Sequence, residues 1–165
     1  MLQTIGQNPG KSFFTVTGTM PHKVTKTRQT LCNHMGCLFT VHHLNTGNYK
    51  VEIAYTGPSP KPVPYTYYPQ ILDLAKAYDV MFMACPASLQ TDRLINAKVL
   101  DALGKSAYLI NIARGSVIDE GALLGTLQHK VIAGAALDVF NNEPNLNPAF
   151  LDLDNILHPT LEVLP

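Results

Sequence analysis

From Val51 onward the chain alternates short apolar runs with stretches of helical periodicity. Val51 to Tyr55 (VEIAY) reads as a buried strand. Val80 to Ala84 (VMFMA) and Ala107 to Ile112 (AYLINI) are continuous apolar runs, the pattern of strands covered on both faces. Val131 to Phe140 (VIAGAALDVF) is a further strand region, where Gly134 predicts close backbone packing. Asn155 to His158 gives one more short strand. Between these runs, Ile71, Leu74, Ala75 and Tyr78 recur at helical spacing behind Pro69, which suits a first helical turn. Asn96 predicts the cap of a helix carrying Val99, Leu100 and Leu103, with Gly104 as its stop. Asp119 predicts the cap of another, carrying Ala122, Leu123 and Leu127. Pro58, Pro60, Pro62 and Pro64 make the loop from Gly57 to Pro69 a stiff, extended connection. About five strands with helical crossovers predict an α/β fold, a doubly wound parallel sheet of the Rossmann type. Right-handed crossovers place helices on both its faces.

Before Lys50 the pattern fails. Thr, Asn, His and Gly are scattered, and no stretch gives a clean helix or strand. The expected division is a poorly patterned segment at 1–50 and one α/β domain at 51–165. A chain of 165 residues is long enough for a single domain with a real core.

Composition narrows the function classes. Hydrophobic residues make 46% of the chain and charged residues 15%, which fits a globular protein rather than a disordered one. Twelve basic and twelve acidic residues leave no net charge, so neither nucleic acid nor an anionic membrane is an expected partner. No apolar run approaches the ~20 residues of a membrane span. Met1 to Lys11 lacks the charged-then-apolar order of a signal peptide, and three cysteines without such a signal read as reduced thiols, so a cytoplasmic protein is expected.

In an open α/β sheet, ligands bind beyond the carboxyl ends of the strands. Cys85-Pro86, Ala113-Arg114, Asp138 and the His158 region all lie just past a strand. Taken alone, an arginine or a glutamate there is most often a surface charge, an aspartate a turn cap, and a cysteine a small buried hydrophobe. The surrounding text changes that reading. LINIARGSVIDEGALLGTLQ followed by IAGAALDVFNNEP resembles the signature of the D-isomer-specific 2-hydroxyacid dehydrogenases. Upstream, VEIAYTGPSPKPVPYTYYP and MACPASLQTDRLINAKVLDALG resemble the same family, especially its glyoxylate/hydroxypyruvate reductase branch. The resemblance runs from about Val51 to Pro159, with several motifs in order at compatible spacing.

The resemblance implies a two-lobed oxidoreductase that passes hydride between NAD(P)H and a small 2-oxo acid such as glyoxylate or hydroxypyruvate. This segment is then the nucleotide-binding lobe, and the substrate lobe is absent. It assigns Arg114 to the substrate carboxylate and carbonyl, a role that suits a planar, permanently charged guanidinium. Glu143 orients a catalytic histidine and keeps it protonated, since a neighbouring carboxylate favours imidazolium. Asp138 meets the nicotinamide amide, and Cys85, Pro86, Ile112 and Ala113 border the cofactor. The nucleotide lobe also forms the dimer interface in this family, so a homodimer is an expected partner.

Three departures follow. The family's G-x-G-x-x-G phosphate loop has no counterpart in Lys26 to Lys50, although Gly18 to Thr25 (GTMPHKVT) resembles its run-in. The segment reads as replaced rather than deleted, as a local reading-frame change would do; a glycine-rich strand-turn-helix in neither other frame of the coding DNA removes that hypothesis. Second, in LDNILHPTLEVLP the family proline is Pro159, which puts Thr160 in the position of the catalytic histidine. His158 is then the candidate acid, against a plainer role as a locally bonded histidine at a strand end. Third, no acid follows the strand at Tyr55 to take the ribose hydroxyls, whereas Ser59 and Lys61 suit a 2′-phosphate. The cofactor expectation is therefore NADP or NAD, leaning to NADP. Two other readings stay open: an inactive fragment retaining only the fold or self-association, and a zinc-binding module at 32–43 built from Cys32, His34, Cys37, His42 and His43, whose spacing matches no zinc finger. No metal site is assigned among the catalytic residues.

Overall fold

Each apolar run in the second half of the chain becomes a strand of one sheet. The computed structural model describes residues 52–158 and the backbone of three earlier strands, β1 (Gln3–Thr4), β2 (Phe14–Thr15) and β3 (Arg28–Cys32). The strands that follow are β4 (Glu52–Thr56), β5 (Thr66–Tyr67), β6 (Val80–Met83), β7 (Tyr108–Asn111), β8 (Gly134–Leu137) and β9 (Ile156–Leu157). The helices are α1 (Ile71–Ala77), α2 (Ala97–Leu103) and α3 (Glu120–Gln128). β3 to β9 form a seven-stranded sheet in the order β5-β4-β3-β6-β7-β8-β9, parallel at every step. The chain enters at β3, runs outward to β5, then crosses back to β6 on the other side of β3. The order reverses between β3 and β6, so ligand-binding loops are expected at the carboxyl ends around that point. β1 and β2 pair separately and antiparallel.

The capping signals act as read. Asn96 accepts hydrogen bonds from the amides of Lys98 and Val99 at 3.1 and 3.3 Å, which satisfies two donors of the first turn of α2. Gly104 ends that helix at φ +82°, a conformation that favours glycine. Asp119 accepts from the Ala122 amide at 3.1 Å and starts α3. Pro69 departs from expectation, because α1 begins at Ile71 with an extended Gln70 before it, leaving Pro69 outside the first turn. Gly134 fulfils its prediction: a Cβ there would come within 2.7 Å of the Asn155 carbonyl oxygen, so the β8–β9 backbone approach requires its absence.

Four strands escaped the pattern: the short β1 and β2, and β3 and β5. β3 lies in a stretch without clean alternation and is defined by parallel pairing on both sides, with β4 and β6. β5 sits inside the proline-rich loop and holds to β4 through only two residue pairs. Among the described residues the helices contact one another in the row α1-α2-α3 and form one layer, where the sequence pattern predicts helices on both faces. The connection from β4 to β5 carries no helix, as its prolines dictate, and residues 33–51, between β3 and β4, lie outside the described residues.

The main core sits between sheet and helices, with Met81, Met83, Leu109, Leu100, Leu123 and Phe150 fully buried. Each such side chain contributes about 1.5–3 kcal/mol by leaving water. A smaller cluster of Ala54, Leu74 and Tyr78 secures α1 beside β4. Among the described residues no helix is long and apolar enough to cross a membrane.

Candidate active site at the carboxyl edge of the sheet

Because every strand of the sheet runs the same way, the loops after β6, β7 and β8 leave from one edge. What locks them together is a single polar side chain in an apolar strand. Asn111, the last residue of β7, is 1% exposed. Its Oδ1 accepts the Ala113 amide at 3.0 Å and its Nδ2 donates to the Arg114 carbonyl at 3.1 Å. The amide side chain thus closes the turn that carries Arg114. Its own carbonyl accepts the Asp138 amide at 2.9 Å, which ties the end of β8 to the end of β7. The Ile112 amide donates to the Met83 carbonyl at 3.2 Å and joins the same edge to β6.

The turn and the next loop are in direct backbone contact. A Cβ placed on Gly115 would stand 2.2 Å from the Phe140 carbonyl carbon and 2.4 Å from the Asn141 nitrogen. Only glycine permits that approach. On the far side, Glu143 Oε1 accepts the Phe140 amide at 2.7 Å, and Glu120 Oε1 accepts the Asn141 amide at 2.6 Å. Arg114, Asp138 and Glu143 therefore stand on loops joined to one another at one rim.

The three groups differ in exposure and charge environment. Arg114 is exposed on extended backbone (φ −148°, ψ 151°), and Nη1 donates to the Ala113 carbonyl at 2.7 Å, which engages one of five guanidinium donors. Asp138 is half-buried. Burial, and then the negative charge of Glu143, push its carboxyl above the ordinary aspartate value of 3.8. Glu143 itself is exposed.

The remaining expected residues distribute as follows. Cys85 is buried and forms no disulfide, and Pro86 is exposed with its carbonyl accepting the Thr91 hydroxyl at 2.8 Å. Ala113 is buried and Ile112 half-buried. Ser59 and Lys61 are exposed past the carboxyl end of β4. They share the edge with Arg114 but stand across the switch point, three strand spacings or roughly 14 Å away. His158 is half-buried immediately after β9, one strand beyond β8. Thr160 lies outside the described residues, as does the 32–43 cluster apart from the backbone of Cys32.

Several positioning residues were not singled out by the sequence reading. Asn111 is the lone polar side chain in AYLINI, and that was the available signal. Thr91, 2% exposed, accepts the Ser88 amide at 2.8 Å and shapes the loop after β6. Gly115 stands out in the sequence only as part of the ARG motif. Tyr55 and Tyr67, which bind the backbone after β4, gave no signal beyond strand-like composition.

Comparison with known proteins agrees with this geometry. Residues 39–159 match the family described as D-isomer specific 2-hydroxyacid dehydrogenase, NAD binding domain, so the match begins before Val51. A 2-ketogluconate reductase of Gluconobacter oxydans (strain 621H) is 48% identical over 106 residues, which are 64% of this chain and 34% of that protein. A glyoxylate/hydroxypyruvate reductase of Arabidopsis thaliana is 40% identical over 110 residues, 66% of this chain and 35% of that one. The crystal structure of an NADPH-dependent glyoxylate/hydroxypyruvate reductase from Sinorhizobium meliloti, in complex with NADP and malonate, superposes with a TM-score of 0.64 at 43% identity, covering 66% of this chain and 34% of that one. The chain thus spans about a third of the length of these relatives. With its parallel sheet and the family match across residues 39–159, the chain belongs to the NAD-binding domain family of the D-isomer-specific 2-hydroxyacid dehydrogenases.

Proposed function

We propose that this chain is the nucleotide-binding lobe of an NAD(P)-dependent reductase of small 2-oxo acids, with glyoxylate and hydroxypyruvate as the leading substrates. The observation that carries the reading is the joining of the Arg114 turn, the Asp138 strand end and the Glu143 loop through Asn111 and Gly115. Arg114 binds the substrate carboxylate and carbonyl through paired donors, which a lysine could not offer in one plane. Asp138, held by its amide on β7, faces the carboxamide end of the cofactor. Glu143 favours the protonated form of an imidazole placed beside it. His158 is the candidate for that imidazole, since threonine at 160 cannot donate a proton near neutral pH. When bound, the nicotinamide supplies the hydride.

The described residues fit the cofactor at its two ends by donor chemistry. Cys85, Pro86, Ile112 and Ala113 line the rim near Asp138. Exposed Ser59 and Lys61, with no carboxylate after β4, favour NADP over NAD. The protein is placed in the cytoplasm, where the buried thiol of Cys85 stays reduced. A homodimer through this lobe belongs to the same reading.

The test follows nicotinamide absorbance with NADPH or NADH and glyoxylate or hydroxypyruvate. Oxidation that disappears in Arg114→Ala and in His158→Ala supports the enzyme. A second reading, a non-catalytic copy retaining the fold and self-association, is favoured by the missing G-x-G-x-x-G pattern and by Thr160. Absence of both oxidation and cofactor binding selects it.

A further inference from the structure

β5 brings Tyr67 directly beside Tyr55 in the parallel ladder. Matched positions on neighbouring strands share a face, and the two rings lie 5.3 Å apart between centroids at 46°. Both phenols reach the backbone of the same loop. Tyr67 donates to the Gly57 carbonyl at 2.8 Å. Tyr55 donates to the Lys61 carbonyl at 3.1 Å and accepts the Lys61 amide. One tyrosine therefore holds each end of the segment Gly57–Lys61.

Between those ends stand Pro58, Ser59 and Pro60. Proline fixes φ and offers no N–H, so the segment is stiff and its donors are few. With the Lys61 amide engaged by Tyr55, the donors that remain between the prolines and at the loop's end include the Ser59 amide and hydroxyl and the Lys61 ammonium. Both side chains are exposed, and no acidic residue follows until Asp73. A short cationic loop without a carboxylate, fixed at both ends, is prepared for a compact anion.

We propose that Tyr55 and Tyr67 are positioning residues that hold Ser59 and Lys61 toward a phosphomonoester, the 2′-phosphate of NADP. The proposal rests on the NADP reading above. Tyr55 is 5% exposed, so the clamp is anchored in the fold and not in the loop it shapes.

The test uses the full chain and two probes sharing one adenosine, adenosine 2′,5′-bisphosphate and adenosine 5′-monophosphate, titrated by NMR. The wild type prefers the bisphosphate, and Lys61→Ala removes the preference. Tyr67→Phe cuts it roughly fivefold, the worth of one lost hydrogen bond, and Tyr55→Phe, which loses two, cuts it further. The Lys61 amide also exchanges faster in Tyr55→Phe while the Leu109 amide in the sheet does not. If both phenylalanine variants match the wild type while Lys61→Ala loses the preference, the clamp is refuted and the NADP reading stands. If the wild type does not distinguish the probes, the NADP reading falls and the clamp with it. Should Tyr55→Phe fail to fold, Tyr67→Phe carries the test, because its ring is only half-buried.

Discussion

Asn111 is where the fold and the site are most tightly coupled, and Asn111→Ala measures that coupling. The substitution removes both side-chain hydrogen bonds of the Arg114 turn. The Ala113 amide is then left buried without its partner, at a cost of about 1–3 kcal/mol. Loss of the bond to the Arg114 carbonyl adds about 1 kcal/mol. The expected destabilisation is therefore about 2–4 kcal/mol, a large share of the ~5–15 kcal/mol that holds a typical domain. Urea unfolding of the full chain followed by circular dichroism reads it as a shift in midpoint at unchanged slope. Asn111→Asp sharpens the test. The new carboxylate still accepts the Ala113 amide but sets a charge against the Arg114 carbonyl. Burial beside that carbonyl raises its folded-state pKa. The loss is then small below the ordinary carboxylate value near ~4 and grows as pH rises through the folded value. A midpoint shift worth less than about 0.5 kcal/mol for Asn111→Ala would refute the idea that this amide holds the turn.

Four further outcomes follow. Gly115→Ala forces a methyl into the Phe140–Asn141 backbone and should destabilise by about 2 kcal/mol or more in the same unfolding assay; wild-type stability would mean the two loops are not in contact. Asp138 carries a raised carboxyl pKa, so its folded form binds a proton more tightly than the unfolded chain, and stability declines as pH rises above 3.8 through the folded value and then levels. Glu143→Gln should lower the Asp138 pKa in an NMR titration without returning it to 3.8, because burial is the larger cause; no movement would show that the two carboxylates do not interact. Dinucleotide affinity, measured by calorimetry, should fall far below that of relatives with an intact glycine-rich loop; tight binding would show that residues 26–50 supply a phosphate site their sequence does not reveal.

The sequence by itself determined the strands, caps and stops in the second half of the chain. VMFMA, AYLINI, Asn96, Gly104 and Asp119 act through local periodicity and capping chemistry, which depend on neighbours within a few residues. It also supplied the resemblance that singled out Arg114, Asp138 and Glu143. Tertiary structure decided how those three are held. The Asn111 staple, the Gly115–Phe140 contact and the Tyr55–Tyr67 clamp each join segments brought together by the sheet. It likewise decided β3, which has no clean alternation, and β5, which is only two residues long inside a proline-rich loop; the hydrogen bonds of both are completed by their neighbours. Parallel pairing is a non-local interaction: its partners lie many residues apart, so it leaves no period in the sequence from which to read it.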